Sequence, residues 1–317
     1  MDILLTGSVA YDYLMTFPGL FKEQILPERL ESISLSFLVE SMSRQRGGVA
    51  PNIAYTMALL GARPRVMATV GEDFDEYRAW LESKGVDTTL MQVVPGVFTA
   101  SFFATTDQAN AQIASFYPGA MGHAGSQSLT ELPSKPELVL VSPNEPGAMT
   151  KFAAEARELE IPYLYDPSQQ VLRLDGNELA RDMEGAHFLF CNDYEFGLIS
   201  KKTGWSLDQI LEHVKVLVIT RGKDGADLYA GNDSVHIPTV PEREIVDPTG
   251  VGDAFRGGFL AGYSHGFDWK LCGEIGSLAA VYCLEQNGPQ SHHYSREEFV
   301  QRFREHFNDG GKLDILL

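Results

Sequence analysis

IVDPTGVGDAFRGG, residues 245–258, is the stretch on which the reading of this chain turns. Ile245 and Val246 look like the end of an apolar strand, and Gly250 and Gly252 sit in a turn ahead of a helix. Backbone N–H groups at such a turn point outward unpaired, and the helix dipole adds positive potential, so the segment predicts an anion hole built from the amides of Gly250, Val251, Gly252 and Asp253. Asp253 falls in the first helical turn, beside the anion it would repel. A carboxylate makes sense there if it takes a proton from a hydroxyl attacking a bound phosphate. The plain alternative is that Asp253 caps the helix and the glycines only turn the chain.

Working outward, the second half of the chain is regular. Short apolar runs at LVLVS near 140, YLYD near 164, HFLFC near 189 and KVLVIT near 217 alternate with helical stretches, and Ile3–Leu5 and RVMATV match them earlier on. This pattern indicates βαβ units around a parallel sheet. A different texture interrupts it. Ile33, Leu35, Phe37 and Val39 alternate with Ser34 and Ser36, and the same period of two returns at TASFFAT from Thr99 and QIASFY from Gln112. Half-exposed antiparallel strands have this pattern. The expected fold is an α/β three-layer sandwich with a mostly parallel central sheet and a small β-sheet lid. Residues 1–13, 46–90 and 119–317 would form the core, and residues 14–45 and 91–118 the lid.

Composition narrows the function. The 317 residues carry 25 Lys and Arg against 43 Asp and Glu, a formal charge of −18. Nucleic-acid backbones are bound by clustered basic residues, so no nucleic-acid partner is expected, and any phosphate must be held by local devices. Cys191, Cys272 and Cys283 form neither a C-x-x-C pair nor a zinc pattern and read as buried free thiols. No signal-peptide pattern opens the chain and no long uncharged apolar run occurs, so a cytoplasmic protein without a membrane partner is expected. His292 and His293 are adjacent, point apart on an extended chain and read as exposed loop.

Neither the G-x-x-x-x-G-K-[ST] loop nor the H-R-D and D-F-G elements of protein kinases occurs. DPTGVGD instead resembles the D-T-x-G-A-G-D motif of the ribokinase-like (PfkB) carbohydrate and nucleoside kinases. Their GG pair followed by Asn and a helix is matched by GGVAPNIAYTMALLG, residues 47–61. Their N-x-x-E is matched at Asn192 to Glu195, and their T-x-G-x-x-G at Thr220, Gly222 and Gly225. All fall in family order across nearly the whole chain, with departures at Pro248 and Val251. Whole segments, among them TGSVAYDYLMTFPG, SLSFLV, AQIASFYPGAM, DPSQQ and NDYE, are most similar to the adenosine kinases of actinobacterial type.

The resemblance implies an acceptor pocket of Ser8, Asp12, Ser36, Gly48, Asn52, Phe102, Phe116, Gln169 and Gln170. Asp12 and Asn52 would hold ribose hydroxyls, Phe102 and Phe116 would stack on a purine, and the glutamines would read its edge. From the residues alone, packing of lid against core is the stronger reading of the two phenylalanines, and a solvated loop is the plain reading of the glutamines. The donor side would comprise Asn192, Glu195, Thr220, Arg221, Gly222 and Gly225. Asn192 and Glu195 would order Mg²⁺ through water, although N-x-x-E at a helix start is also a common cap. Arg221 would neutralise the transferring group or lie solvated in a loop. Asp247 and Thr249 match the positions beside a monovalent cation, K⁺ in many such enzymes. The implied reaction is in-line transfer of the ATP γ-phosphoryl group to the 5′-hydroxyl of adenosine, giving AMP, with Asp253 as base. A sugar or another nucleoside as acceptor, a non-catalytic binding homologue, and a structural subunit are the alternatives. The apolar side of residues 33–39 needs cover, which predicts a homodimer through the lid.

Overall fold

The computed structural model describes residues 1–26, 31–32 and 34–317. Strand β1 (Ile3–Thr6) runs through Gly7–Val9 into β2 (Ala10–Thr16), followed by a short helix α1 (Phe21–Gln24) and strand β3 (Ser41–Gly47). Helix α2 (Val49–Leu59), β4 (Arg65–Val70), α3 (Asp75–Ser83) and β5 (Met91–Val93) come next, then β6 (Ala100–Thr106) and β7 (Gln112–Tyr117). The regular part follows: β8 (Leu138–Val141), α4 (Pro146–Glu158), β9 (Tyr163–Tyr165), α5 (Gly176–Met183), β10 (Phe188–Asn192), α6 (Asp193–Thr203), α7 (Leu207–His213) and β11 (Val216–Thr220). A hairpin, β12 (Ala226–Ala230) and β13 (Asp233–Ile237), precedes the terminal helices α8 (Val251–Ser264), α9 (Trp269–Leu284) and α10 (Arg296–His306).

Nine strands form one sheet in the order β13-β12-β11-β10-β9-β8-β1-β4-β5, and four form a second in the order β3-β2-β6-β7. All pairings in the large sheet are parallel except those of the β11-β12-β13 hairpin edge. Alternation along its strands builds two cores. Ile3, Leu5, Leu138, Leu140, Phe188 and Phe190 pack on one face with residues of α2, α3 and α8. Leu4, Val139, Val141, Leu189 and Cys191 pack on the other with residues of α4 and α5. The helix-covered sheet is the expected three-layer sandwich, and the four-stranded sheet is its lid.

Sequence and structure part company in the lid. Residues 34–39 form no strand, and Ile33 lies outside the described residues. Phe37 turns inward onto Phe17 and Phe21, with ring centroids 5.1 and 5.0 Å away, while Leu35 and Leu38 stay exposed, so the alternation is not a pleat. The paired strand is the polar segment behind it, β3, which matches β2 residue for residue from Ala10↔Gly47 to Thr16↔Ser41. The small sheet therefore takes in Ala10–Tyr13 and Arg46–Gly47, which the expected boundaries gave to the core, and Met91–Val93 belongs to the large sheet. Ile245 and Val246 close no strand either. Both are exposed, and the N–H groups of Val246 and Asp247 hang on Leu284 O at the end of α9.

The chain leaves β1 toward β4 on one side and is joined by β8 on the other, so β1 marks the switch point of the sheet. Ligands of open α/β sheets bind outside the carboxyl ends of strands at such a point. Gly48 fixes the geometry there. It has φ +96, and a Cβ on it would lie 2.5 Å from Ser8 O, so only glycine lets the start of α2 approach the backbone after β1.

Candidate active site

Helix α8 opens on Gly250, in the left-handed region at φ 78 and packed so tightly on Pro289 that a Cβ would come within 2.3 Å. The N–H groups of Gly252 and Asp253 lie in the first turn, where no intrahelical partner exists, and have no other partner among the described residues. The Val251 N–H, which the glycine spacing also assigns to an anion hole, is instead directed to Pro248 O at 3.4 Å. Asp247 shapes the loop leading to it, with Oδ1 accepting from Thr249 N at 2.8 Å and Oδ2 from Gly288 N at 3.0 Å.

Asp253 is half-buried and caps nothing. Its Oδ2 accepts from Asn52 Nδ2 of α2 at 2.8 Å, and Oδ1 has no partner among the described residues. Burial pushes its carboxyl up to about 7, with Asp166 and Glu195 adding to the rise and Asn52 and Arg256 opposing it. Such a group is poised near neutrality as a proton acceptor.

Arg256, one turn further along α8, escaped the sequence reading. Its guanidinium is buried, pairs with both oxygens of Asp166 at the end of β9, and donates from Nη1 to Gly252 O at 3.0 Å. The i, i+3 spacing from Asp253 on a helix was the available signal. A buried charge needs a partner, and DPSQQ supplies it through Asp166.

Of the residues expected to meet an acceptor, the small sheet lines up three in one row that crosses all four strands. Gln45, Asp12, Phe102 and Phe116 are direct register neighbours and share a face. That face is turned toward the loops before α8 and after α9, because Gln45 donates to Asn287 Oδ1 at 3.0 Å and the neighbouring Gly288 N–H donates to Asp247 Oδ2; burial raises the Asp12 carboxyl to about 6, with Asp247 adding to the rise. Phe102 is half-buried and Phe116 is 49% exposed, so neither ring is consumed by packing against the core. Gln170 is buried, donates from Nε2 to Asn144 O at 2.8 Å and keeps an unpartnered Oε1, whereas Gln169 is exposed. Ser8 Oγ accepts from Val49 N at 3.2 Å, holding the start of α2. Ser36 is exposed in the irregular segment 34–39 and lies on no strand.

A cavity of about 710 Å³ flanks the other side of the α8 N-terminus. Asn192, Thr220, Gly222, Gly225, Val251 and Gly252, all within the motif segments, line it. Its apolar wall, Ile237, Val240, Val281 and Leu284, comes from β13, the segment after it and α9, and no motif pointed to it. Three residues expected on the donor side are otherwise engaged. Arg221 is paired with Asp227 at 2.5 Å and is not among the residues lining the cavity. Asn192 and Glu195 form a reciprocal capping box at the start of α6. His292 is not exposed loop: it is fully buried, with Nε2 3.1 Å from Thr56 Oγ1, and burial lowers it to about 4. Among the described residues no cluster of three His, Cys, Asp or Glu could hold a metal, and no helix is long and apolar enough to cross a membrane.

A model of pfkB family carbohydrate kinases matches residues 6–295. The chain is 31% identical to a nucleoside kinase of Methanothermobacter thermautotrophicus over 306 residues, 95% of each chain. It is similar to the structure of Burkholderia thailandensis nucleoside kinase in complex with inosine, with TM-score 0.86, 39% identity and 96% and 98% of the two chains covered. A complex of the same protein described as ADP-inosine gives TM-score 0.84, 40% identity and 96% coverage of each chain.

Proposed function

The chain belongs to the pfkB family of carbohydrate kinases, and from that membership we propose that it transfers the γ-phosphoryl group of ATP to the 5′-hydroxyl of adenosine, giving AMP. The observation that carries the phosphoryl transfer is the Asn52–Asp253 pair at the N-terminus of α8, beside two free amides. ATP would lie along the 710 Å³ cavity with its base against the apolar wall. The acceptor would lie under the small sheet, with the ribose at Asp12 and Asn52. Asp253 Oδ1 takes the hydroxyl proton while the amides of Gly252 and Asp253 stabilise the charge on the transferring group.

The row Asp12–Phe102–Phe116 supports a nucleoside over a plain sugar, since a sugar has no aromatic face to stack. Gln170 Oε1 is an acceptor held in the interior, and it suits a base edge that donates, such as the 6-amino group of adenine. Inosine is the second reading. It is favoured by the Burkholderia complex, and its N1–H is also a donor.

Mg²⁺ would be held mostly by phosphates and water, with Glu195 at the start of α6 reaching it through water. Bound there, the ion would neutralise phosphate charge. Each oxygen of Asp247 accepts one N–H and retains capacity for a second ligand, so Asp247 and Thr249 remain fit to flank a monovalent cation such as K⁺.

A pH dependence follows from the base. Its carboxyl lies at about 7, so below that pH it is protonated and cannot accept the hydroxyl proton. At saturating Mg-ATP, kcat/KM for adenosine should rise through about pH 7 and level off above it. A limb centred near pH 4, the range of an ordinary carboxyl, would remove Asp253 from this role.

The homodimer is retained on different residues. The outer face of the small sheet exposes Met42, Phe103, Ile113 and Tyr117 on the side away from Asp12, and β7 is an unpaired edge. Contiguous apolar surface of this kind needs cover. Sedimentation should find a dimer, and Phe103→Glu with Ile113→Lys should split it. A wild-type monomer at micromolar concentration would contradict the assembly.

A further inference from the structure

Beyond α9 the chain carries a glutamine that none of the motifs include. Gln290 is buried. Its Oε1 accepts from Trp80 Nε1 at 3.2 Å, and its Nε2 donates to Asn52 Oδ1 at 2.9 Å and to the Tyr77 hydroxyl. The Tyr77 hydroxyl donates in turn to Gly47 O at 2.9 Å, where β3 meets the start of α2.

The direction of this chain of hydrogen bonds is set at its beginning. An indole N–H can only donate, so Gln290 must turn its oxygen to Trp80 and its nitrogen to Asn52. Asn52 then shows its oxygen to Gln290 and its nitrogen to Asp253. With the opposite orientation a carbonyl would face the carboxylate.

We propose that Gln290 is a positioning residue for the base: anchored by Trp80, it locks the Asn52 amide so that Nδ2 holds Asp253 Oδ2 and leaves Oδ1 for the acceptor hydroxyl. This rests on the reading of Asp253 as base. Orientation fixed before the acceptor arrives need not be set during the reaction, which is where preorganised groups act. The other ionisable groups around the carboxylate are Arg256 on the same helix, Asp166 after β9, Glu195 on α6 and Cys283 on α9. None of them touches Gln290 or Asn52 through a hydrogen bond among the described residues. The Asn52 bond opposes the rise in the Asp253 carboxyl, so losing its alignment moves that carboxyl further up.

The test compares Gln290→Met and Trp80→Phe with wild type, measuring kcat/KM for adenosine from pH 5.5 to 9 at saturating Mg-ATP. Gln290→Met should lose about ten- to a hundredfold, with the deficit greatest at acid pH and shrinking as pH rises. Trp80→Phe leaves Gln290 in place without its anchor and should show a smaller deficit of the same pH dependence. A general packing defect would lower the rate equally at every pH, and a uniform deficit, or none, overturns the proposal. Should Gln290→Met fail to fold, the Trp80→Phe profile decides alone, an unchanged profile counting against it. An inactive Asp253→Asn beside flat Gln290→Met and Trp80→Phe deficits would sink this inference only, whereas an active Asp253→Asn would sink the reading of the base with it.

Discussion

Asp253→Asn should yield a folded protein that binds acceptor and ATP and turns over about 10²–10⁴ times more slowly than wild type. The substitution is nearly isosteric, and an asparagine oxygen can still accept from Asn52 Nδ2, so the bond between α2 and α8 survives. What disappears is the basic oxygen that takes the hydroxyl proton. Helix capping cannot account for a large loss, because Asp253 accepts no backbone N–H. The comparison needs single-turnover rates beside ligand affinities measured by calorimetry. Retention of more than a tenth of wild-type turnover, with affinities unchanged, would show that proton transfer at this position is not required.

The second large effect concerns which acceptor the pocket selects. Adenosine should be used far better than ribose or fructose, because the base would occupy the Phe102–Phe116 row that a sugar leaves bare. Phe102→Ala should weaken nucleoside binding by about 1–3 kcal/mol, the range for one base on one aromatic ring. It should leave the feeble use of ribose almost untouched. The difference between the two acceptors is the informative quantity, since a damaged fold would lower both. A sugar exceeding every nucleoside in kcat/KM would move the acceptor class to carbohydrates.

How far the sequence carried depends on the scale at which each feature is encoded. The core strands from β8 to β11 are buried on both faces, so each appears as a continuous apolar run and is found directly. The turn that opens α8 is a backbone device built on glycines, and glycines at fixed spacing are visible in one dimension. Strand β2 was missed because AYDYLMT serves two masters: Tyr11 is buried beside Tyr77, while Asp12 faces the site. Strand β3, SMSRQRG, is polar because Arg44 and Arg46 lie over Tyr11 and Trp80 and pair with Glu76, so its pattern is cationic instead of apolar. The apolar alternation just before it was mistaken for the strand itself.

The missed site residues share a different cause. Arg256 and Gln290 owe their positions to partners far away in the chain, Asp166 and Asn52. Neither pairing leaves a local mark beyond the helical spacing of Arg256 from Asp253. The apolar wall of the 710 Å³ cavity is equally nonlocal, since β13 and α9 look like ordinary packing elements until they meet.

Product analysis tests the central claim most directly. The 317-residue protein is mixed with adenosine and Mg-ATP at pH 8, and phosphorus NMR follows the nucleotide pool. A new phosphomonoester on the 5′-oxygen should appear as AMP in step with ADP, one for one. ADP formed without a phosphorylated nucleoside, or no ADP at all with adenosine while a sugar phosphate accumulates with ribose, would contradict the account.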